Sequence, residues 1–129
     1  MIVDTSAVLA ILFGEQDAEV YAKAIASAEH CRISAATFVE ISIVMELQTG
    51  DKGSRRWDVF FRSAELVAEP VTEEQAYVAR QAYSDFGKGG KTGGLNFGDC
   101  FSHSLAKTLD EPLLFKGEDF HKTDIVPAV

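Results

Sequence analysis

The stretch Met1-Ile2-Val3-Asp4-Thr5-Ser6 constrains this chain more than any other. Ile2 and Val3 are β-branched and apolar, which marks a strand. Thr5 and Ser6 are favoured helix N-caps, and the apolar run Ala7-Val8-Leu9-Ala10-Ile11-Leu12 continues as a helix. Asp4 therefore falls at the carboxyl end of a strand, where the chain turns into a helix. In an open α/β sheet that edge is where ligands bind. An acid placed there can equally be a turn or capping residue, so its meaning depends on which other acids reach the same edge.

The remaining chain alternates in the same way. An amphipathic stretch over residues 17–28 has Val20, Tyr21, Ala24 and Ile25 at helical spacing. Arg32-Ile33-Ser34 reads as a strand. Residues 35–48 are apolar nearly all round, which predicts a mostly buried helix stopped by Thr49-Gly50-Asp51. A further helix is expected over residues 55–62, around Trp57, Val59, Phe60 and Phe61. Leu66-Val67-Ala68 is the next strand, and Thr72 with Glu74 and Gln75 opens a helix reaching about Phe86. A glycine-rich loop with Lys88 and Lys91 fills residues 87–94. A helix over 96–109, a strand at Leu113-Leu114-Phe115 and an edge strand at Ile125-Val126 complete the pattern. Strands and helices alternating across short connections imply a three-layer α/β/α sandwich with a central parallel sheet of four to five strands. At 129 residues the chain reads as one domain, residues 1–129, with enough length for a real core.

Charge and cysteine content narrow the function. A net charge of -8 opposes non-specific attraction to nucleic acid, but it permits a nucleic-acid enzyme whose acids hold cations. It also suits a basic protein partner. Cys31 and Cys100 are far apart, lack CxxC spacing and read as small core residues of a reducing compartment. Asp4 interrupts the first apolar run, so no secretory signal is expected, and no run approaches a membrane span; the expected location is the cytoplasm.

Three further acids bear on Asp4. Glu40 has Ala36, Thr37, Ile43 and Val44 as its helical neighbours, an apolar face on which a carboxylate is costly without a cation, a metal or access to water. Asp99 lies in the first turn of its helix, where acids also stabilise the helix terminus. Asp119 lies in the loop after a strand, an ordinary place for a turn residue. Chain spacing brings three of the four acids to the carboxyl edge of the sheet and leaves the position of Asp99 open. His30, His103 and His121 are scattered and read as surface or capping residues. Gly90-Lys91-Thr92 matches the end of a phosphate-binding loop, but the first glycine of that motif would fall on Asp85 and a helix rather than a strand precedes it. That loop reads instead as a connector or a flexible surface loop.

Four segments, Met-Ile-Val-Asp-Thr-Ser-Ala at the start, Ala-Ala-Thr-Phe-Val-Glu-Ile around Glu40, Leu-Asn-Phe-Gly-Asp-Cys at Asp99 and Pro-Leu-Leu-Phe-Lys-Gly-Glu-Asp-Phe near Asp119, resemble the PIN domain. The resemblance is closest to the VapC toxins of type II toxin–antitoxin systems and spans essentially the whole chain. It implies a ribonuclease dependent on Mg²⁺, with Mn²⁺ as a substitute, and an acidic cluster of Asp4, Glu40, Asp99 and Asp119. Asp4 and Asp99 would be metal ligands, and Glu40 a ligand or the group that orients water. Thr5, Ser6 and Asn96 are candidates for supporting or phosphate contacts. The family often carries an acid two residues before Asp119, where this chain has Gly117. The resemblance further implies an RNA substrate such as a transfer RNA, a cognate antitoxin peptide over the acidic groove, and a homodimer or toxin–antitoxin hetero-oligomer. The alternative is a catalytically inactive binding module of the same fold.

Overall fold

A computed structural model describes residues 1–90 and 93–129. Among these residues the elements run β1 (Ile2–Val3), α1 (Thr5–Leu12), α2 (Ala18–Ser27), β2 (Cys31–Ser34), α3 (Ala35–Ser63), β3 (Leu66–Glu69), α4 (Glu73–Phe86), α5 (Phe97–Leu109) and β4 (Leu113–Leu114). Lys91 and Thr92 of the glycine-rich loop lie outside the described residues. The segment before that loop is helix α4, which is not the strand a phosphate-binding loop requires.

All strand pairs are parallel, in the order β3-β2-β1-β4. The chain builds outward from β1 through β2 to β3, then crosses to the other side of β1 to lay down β4. The strand order therefore reverses between β1 and β4, the position where such sheets open a crevice at their carboxyl ends. Alternation along the short strands sends side chains to two cores. Val3, Ile33, Leu66 and Leu114 pack with α1, α2 and α3, whereas Ile2, Leu113 and Phe115 pack with α4 and α5. That is the expected three-layer arrangement. Ile125-Val126 does not form a strand; the segment makes only an isolated bridge from Pro127 to Leu113.

The long helix α3 is two helices that break at Gly50, where the sequence predicts a stop at Thr49-Gly50-Asp51. Gly50 has φ 62° and ψ −155°, a conformation that interrupts the helix, and the chain folds back there. Phe38 and Phe61 have ring centroids 5.0 Å apart, and the Trp57 indole N–H donates to Ser42 Oγ at 2.9 Å. A continuous helix would hold residues 38 and 61 about 34 Å apart. The two halves thus form a helical hairpin closed on Trp57, which is only 1% exposed. A buried helix is expected over residues 35–48, but the structure shows one side of it open: Val39, Ile43 and Leu47, successive at i, i+4 and i+8, are exposed. The second half of the hairpin covers only the Phe38–Ser42–Met45 side, so this stripe is left facing solvent. Both cysteines are buried and free, as expected. No helix among the described residues is long and apolar enough to cross a membrane.

The Gly50 conformation is accessible essentially to glycine alone, although a methyl group would meet no atom there. Gly50→Ala is therefore expected to destabilise the protein by about 1–3 kcal/mol through backbone strain, read as a fall of several degrees in melting temperature. An unchanged melting temperature would mean that the hairpin reverses without needing this conformation.

Candidate functional site

Asp4 follows β1 directly and is 2% exposed. Its backbone N–H donates to the Leu114 carbonyl at 2.9 Å, fixing it between β1 and β4 where the strand order reverses. The carboxylate is held on both oxygens. Oδ2 accepts from the Ser6 amide at 3.0 Å and the Ser6 hydroxyl at 2.7 Å, the short-range bonding of an N-cap aspartate. Oδ1 accepts from the Ser102 hydroxyl at 2.6 Å. Ser102 is fully buried on α5, with Thr37 Oγ1 of α3 at 3.3 Å from its Oγ. Ser6 Oγ also accepts the Lys116 backbone N–H at 2.9 Å, so the segment after β4 is tied to the same point.

Glu40 enters from the first half of α3. Its Oε1 accepts a short bond from the Thr5 hydroxyl. Its Oε2 lies against Gly98 of α5, where an added Cβ would stand 2.1 Å away. Only a residue without a side chain lets α5 approach Glu40 this closely. Gly94 does the same for Asp119, whose Oδ1 would be 2.6 Å from a Cβ there. Asp119 itself is exposed in the turn after β4.

Asp99 lies in the first turn of α5 and makes a reciprocal capping box with Asn96. The Asn96 N–H donates to Asp99 Oδ2 at 3.0 Å, and the Asp99 N–H donates to Asn96 Oδ1 at 2.9 Å. Spacing alone left this acid's position open, and the structure brings it to the other three. Burial raises its carboxyl pKa to about 7; the bond from the Asn96 backbone opposes this, and the charges of Asp4, Asp119 and Glu40 add to it. Among the described residues, no Lys or Arg makes an ion pair with any of the four acids. Lys116 nearby is engaged by Glu15 and Asp17 instead. Nor do three His, Cys, Asp or Glu side chains among the described residues enclose an ion unaided.

Thr5, Ser6 and Asn96 thus each hold one of the acids. Ser102 and Thr37 were not singled out by sequence reasoning, although Ser102 stands three residues after Asp99 and so on the same helix face. The histidines divide. His30 and His121 are exposed, whereas His103 is 3% exposed, contrary to a surface or capping role. His103 Nε2 stands 2.8 Å from Asp124 Oδ1 and its ring packs against Phe86, while Nδ1 has no partner among the described residues. Burial lowers its pKa, so it is a neutral core group, not part of the acid cluster.

Four acids gathered at the switch point of a parallel sheet, from the buried Asp4 to the exposed Asp119, define a class, and the PIN-domain family model matches residues 1–126. The chain belongs to the PIN-domain family. Within it, the chain belongs with the VapC proteins: it is 52% identical to ribonuclease VapC28 of Mycobacterium tuberculosis over 130 residues, 100% of this chain and 98% of that protein. The fold matches the crystal structure of Mycobacterium tuberculosis VapC20, a sarcin-ricin loop cleaving toxin, with a TM-score of 0.78 at 17% identity over 97% of this chain and 95% of that one. It also matches a toxin–antitoxin complex from Klebsiella pneumoniae, with a TM-score of 0.74 at 15% identity over 99% and 97% of the two chains.

The Asp99 proton has a consequence for stability. The folded chain holds it up to about pH 7, whereas the ordinary carboxyl value is 3.8. Between those values the folded state binds more protons than the unfolded one, so this group's contribution falls as pH rises from about 4 to about 7. In metal-free buffer, Asp99→Asn is expected to melt above wild type at pH 8, with the gap closing as the pH falls towards 4. A variant that melts below wild type at every pH would show that the charged capping bond to Asn96 outweighs the crowding.

Proposed function

We propose that this protein is a metal-dependent endoribonuclease, the toxin of a type II toxin–antitoxin pair, acting in the cytoplasm on RNA, with a transfer RNA or another structured loop as the substrate. The observation that carries this reading is the convergence of Asp4, Glu40, Asp99 and Asp119 on one crevice in which burial and mutual repulsion push a carboxyl to about pH 7. Such crowding opposes folding unless a cation offsets it. The donor set is entirely oxygen, which suits Mg²⁺ or Mn²⁺ and not Zn²⁺. Asp4, Glu40 and Asp99 are the residues that would hold the ion, with Asp119 at the rim. When bound, it would lower the pKa of water and neutralise charge on a phosphodiester.

The protein's own part in hydrolysis follows from how each acid is held. Ser6 and Ser102 fix both oxygens of Asp4, so this carboxylate cannot rotate away when substrate enters. Thr5 engages only Oε1 of Glu40, leaving Oε2 to accept a proton from an attacking water. A cation at the cluster would favour the ionised form of Asp99, so loss of its proton and binding of the ion would go together. The likeness to the Klebsiella toxin–antitoxin complex and the exposed Val39, Ile43 and Leu47 stripe on the helix that carries Glu40 support a protein antitoxin that seats on α3 beside the crevice. A basic residue of that partner, above all an arginine, suits the acids as a substitute for the cation.

The test is cleavage of total bacterial RNA by purified protein with Mg²⁺, Mn²⁺ or chelator. Asp4→Asn and Asp99→Asn are each expected to lower the rate by about 10² or more. Full activity in either variant, free of contaminating nuclease, would overturn the assignment.

Gly98→Ala probes the same crevice without touching an acid. The new methyl group must displace the Glu40 carboxylate, and an activity loss of about tenfold to a hundredfold is expected, as for other groups that position ligands. Alanine in a helix is itself favourable by about 0.5–1 kcal/mol, so the melting temperature should hold or rise. A variant both fully active and stable would show that the position of Glu40 is immaterial.

A further inference from the structure

Ser42 and Thr108 show the usual course of a helical hydroxyl: each bonds back to its own helix, Ser42 to the Phe38 carbonyl at 2.7 Å and Thr108 to the Ser104 carbonyl at 2.9 Å. Ser102 does not. Its hydroxyl leaves α5 and donates to Asp4 Oδ1 at 2.6 Å, across 98 residues of sequence. Thr37 stands in the first turn of α3, with no earlier turn of its own helix to bond to, and its Oγ1 lies 3.3 Å from Ser102 Oγ. Both side chains are buried. A serine hydroxyl has one proton and two lone pairs. The Ser102 proton lies on the short bond to Asp4, so the contact with Thr37 uses the Thr37 proton. The donations therefore run from Thr37 to Ser102 to Asp4.

Thr37 precedes Glu40 by three residues and Ser102 follows Asp99 by three. Each hydroxyl thus shares a helix face with an acid, about 4.5 Å away along the axis. Together they join β1, α3 and α5, the elements that bring Asp4, Glu40 and Asp99 together. We infer that Thr37 and Ser102 are positioning residues, which set the separation of these three acids and so the affinity of the cluster for a divalent cation. The inference rests on the metal-dependent reading above and adds to it two residues that are not themselves ligands. Packing alone would be met as well by valine and alanine at these positions. Two buried hydroxyls directed in sequence onto a carboxylate are instead the means by which outer groups orient a ligand. Ser102→Ala takes the donor from Asp4 Oδ1. Thr37→Val leaves Ser102 donating but removes the bond that holds its oxygen in place.

The experiment titrates Mn²⁺ into the metal-free protein and follows free Mn²⁺ by electron spin resonance. Wild type, Ser102→Ala, Thr37→Val and Thr37→Ser are compared, with melting temperatures in chelator as the measure of the fold. Ser102→Ala is expected to bind Mn²⁺ about tenfold to hundredfold more weakly than wild type. Thr37→Val acts at one bond's remove, and a loss of about threefold to tenfold is expected. Thr37→Ser keeps the hydroxyl and gives up a buried methyl, so it is expected to melt below wild type yet bind within about twofold of it. Affinity that follows the hydroxyl and not the stability is an order that a packing role does not produce. Wild-type affinity in both Ser102→Ala and Thr37→Val would overturn the inference and leave the metal-dependent reading standing. Thr37→Ser binding as weakly as Thr37→Val would overturn it too, because the effect would then be one of volume. If Ser102→Ala does not fold, the two Thr37 variants decide. A wild type that binds no Mn²⁺ would overturn the metal-dependent reading, and this inference with it.

Discussion

The buried Asp4 carboxylate is the constraint from which the architecture follows. A charge with 2% exposure is tolerable only if its oxygens are satisfied, and each partner comes from a different part of the chain. Ser6 brings the start of α1, Ser102 the middle of α5, and Ser6 in turn receives the amide after β4. Satisfying one side chain thus fixes two helices and two strands around a single point. The same point is where the sheet reverses its order, so the polar network and the topology locate the crevice together.

Space matters as much as charge. Glu40 and Asp119 reach the crevice because Gly98 and Gly94 present no side chains to them. The helix that carries Asp99 can then press against the helix that carries Glu40; burial is the main cause of the raised Asp99 carboxyl, and the charges of Asp4, Asp119 and Glu40 add to it. The glycines determine the electrostatics of a site in which they have no chemical part.

Local signals are the legible part of the sequence. Thr72 before its acids names a helix start from residues a few positions apart and caps the helix expected. At α1 the cap is Asp4, and the expected caps Thr5 and Ser6 lie inside the helix, because the Asp4 carboxylate takes the Ser6 amide. Glu40 was visible as a carboxylate among apolar neighbours. What escaped depends on distant partners. Ser102 and Thr37 look like any helical hydroxyl until the sheet brings Asp4 to them across 98 residues. His103 gave no sign of burial because its partner Asp124 and its ring neighbour Phe86 lie outside its own helix. The apolar run over residues 35–48 promised a buried helix, but burial on one side needs a covering element. The hairpin at Gly50 covers only the other side.

The sheet geometry also bears on how such a protein is synthesised. The Asp4 amide bonds to the carbonyl of Leu114, and Ser6 to the amide of Lys116, 110 residues later. Contacts between such distant residues cannot form until the later segment has been made, and closing so long a loop is slow. During translation Asp4 is made long before β4, so the crevice around it is incomplete until β4 has left the ribosome. The acidic cluster is therefore assembled only after β4 has been made, not strand by strand as the chain emerges.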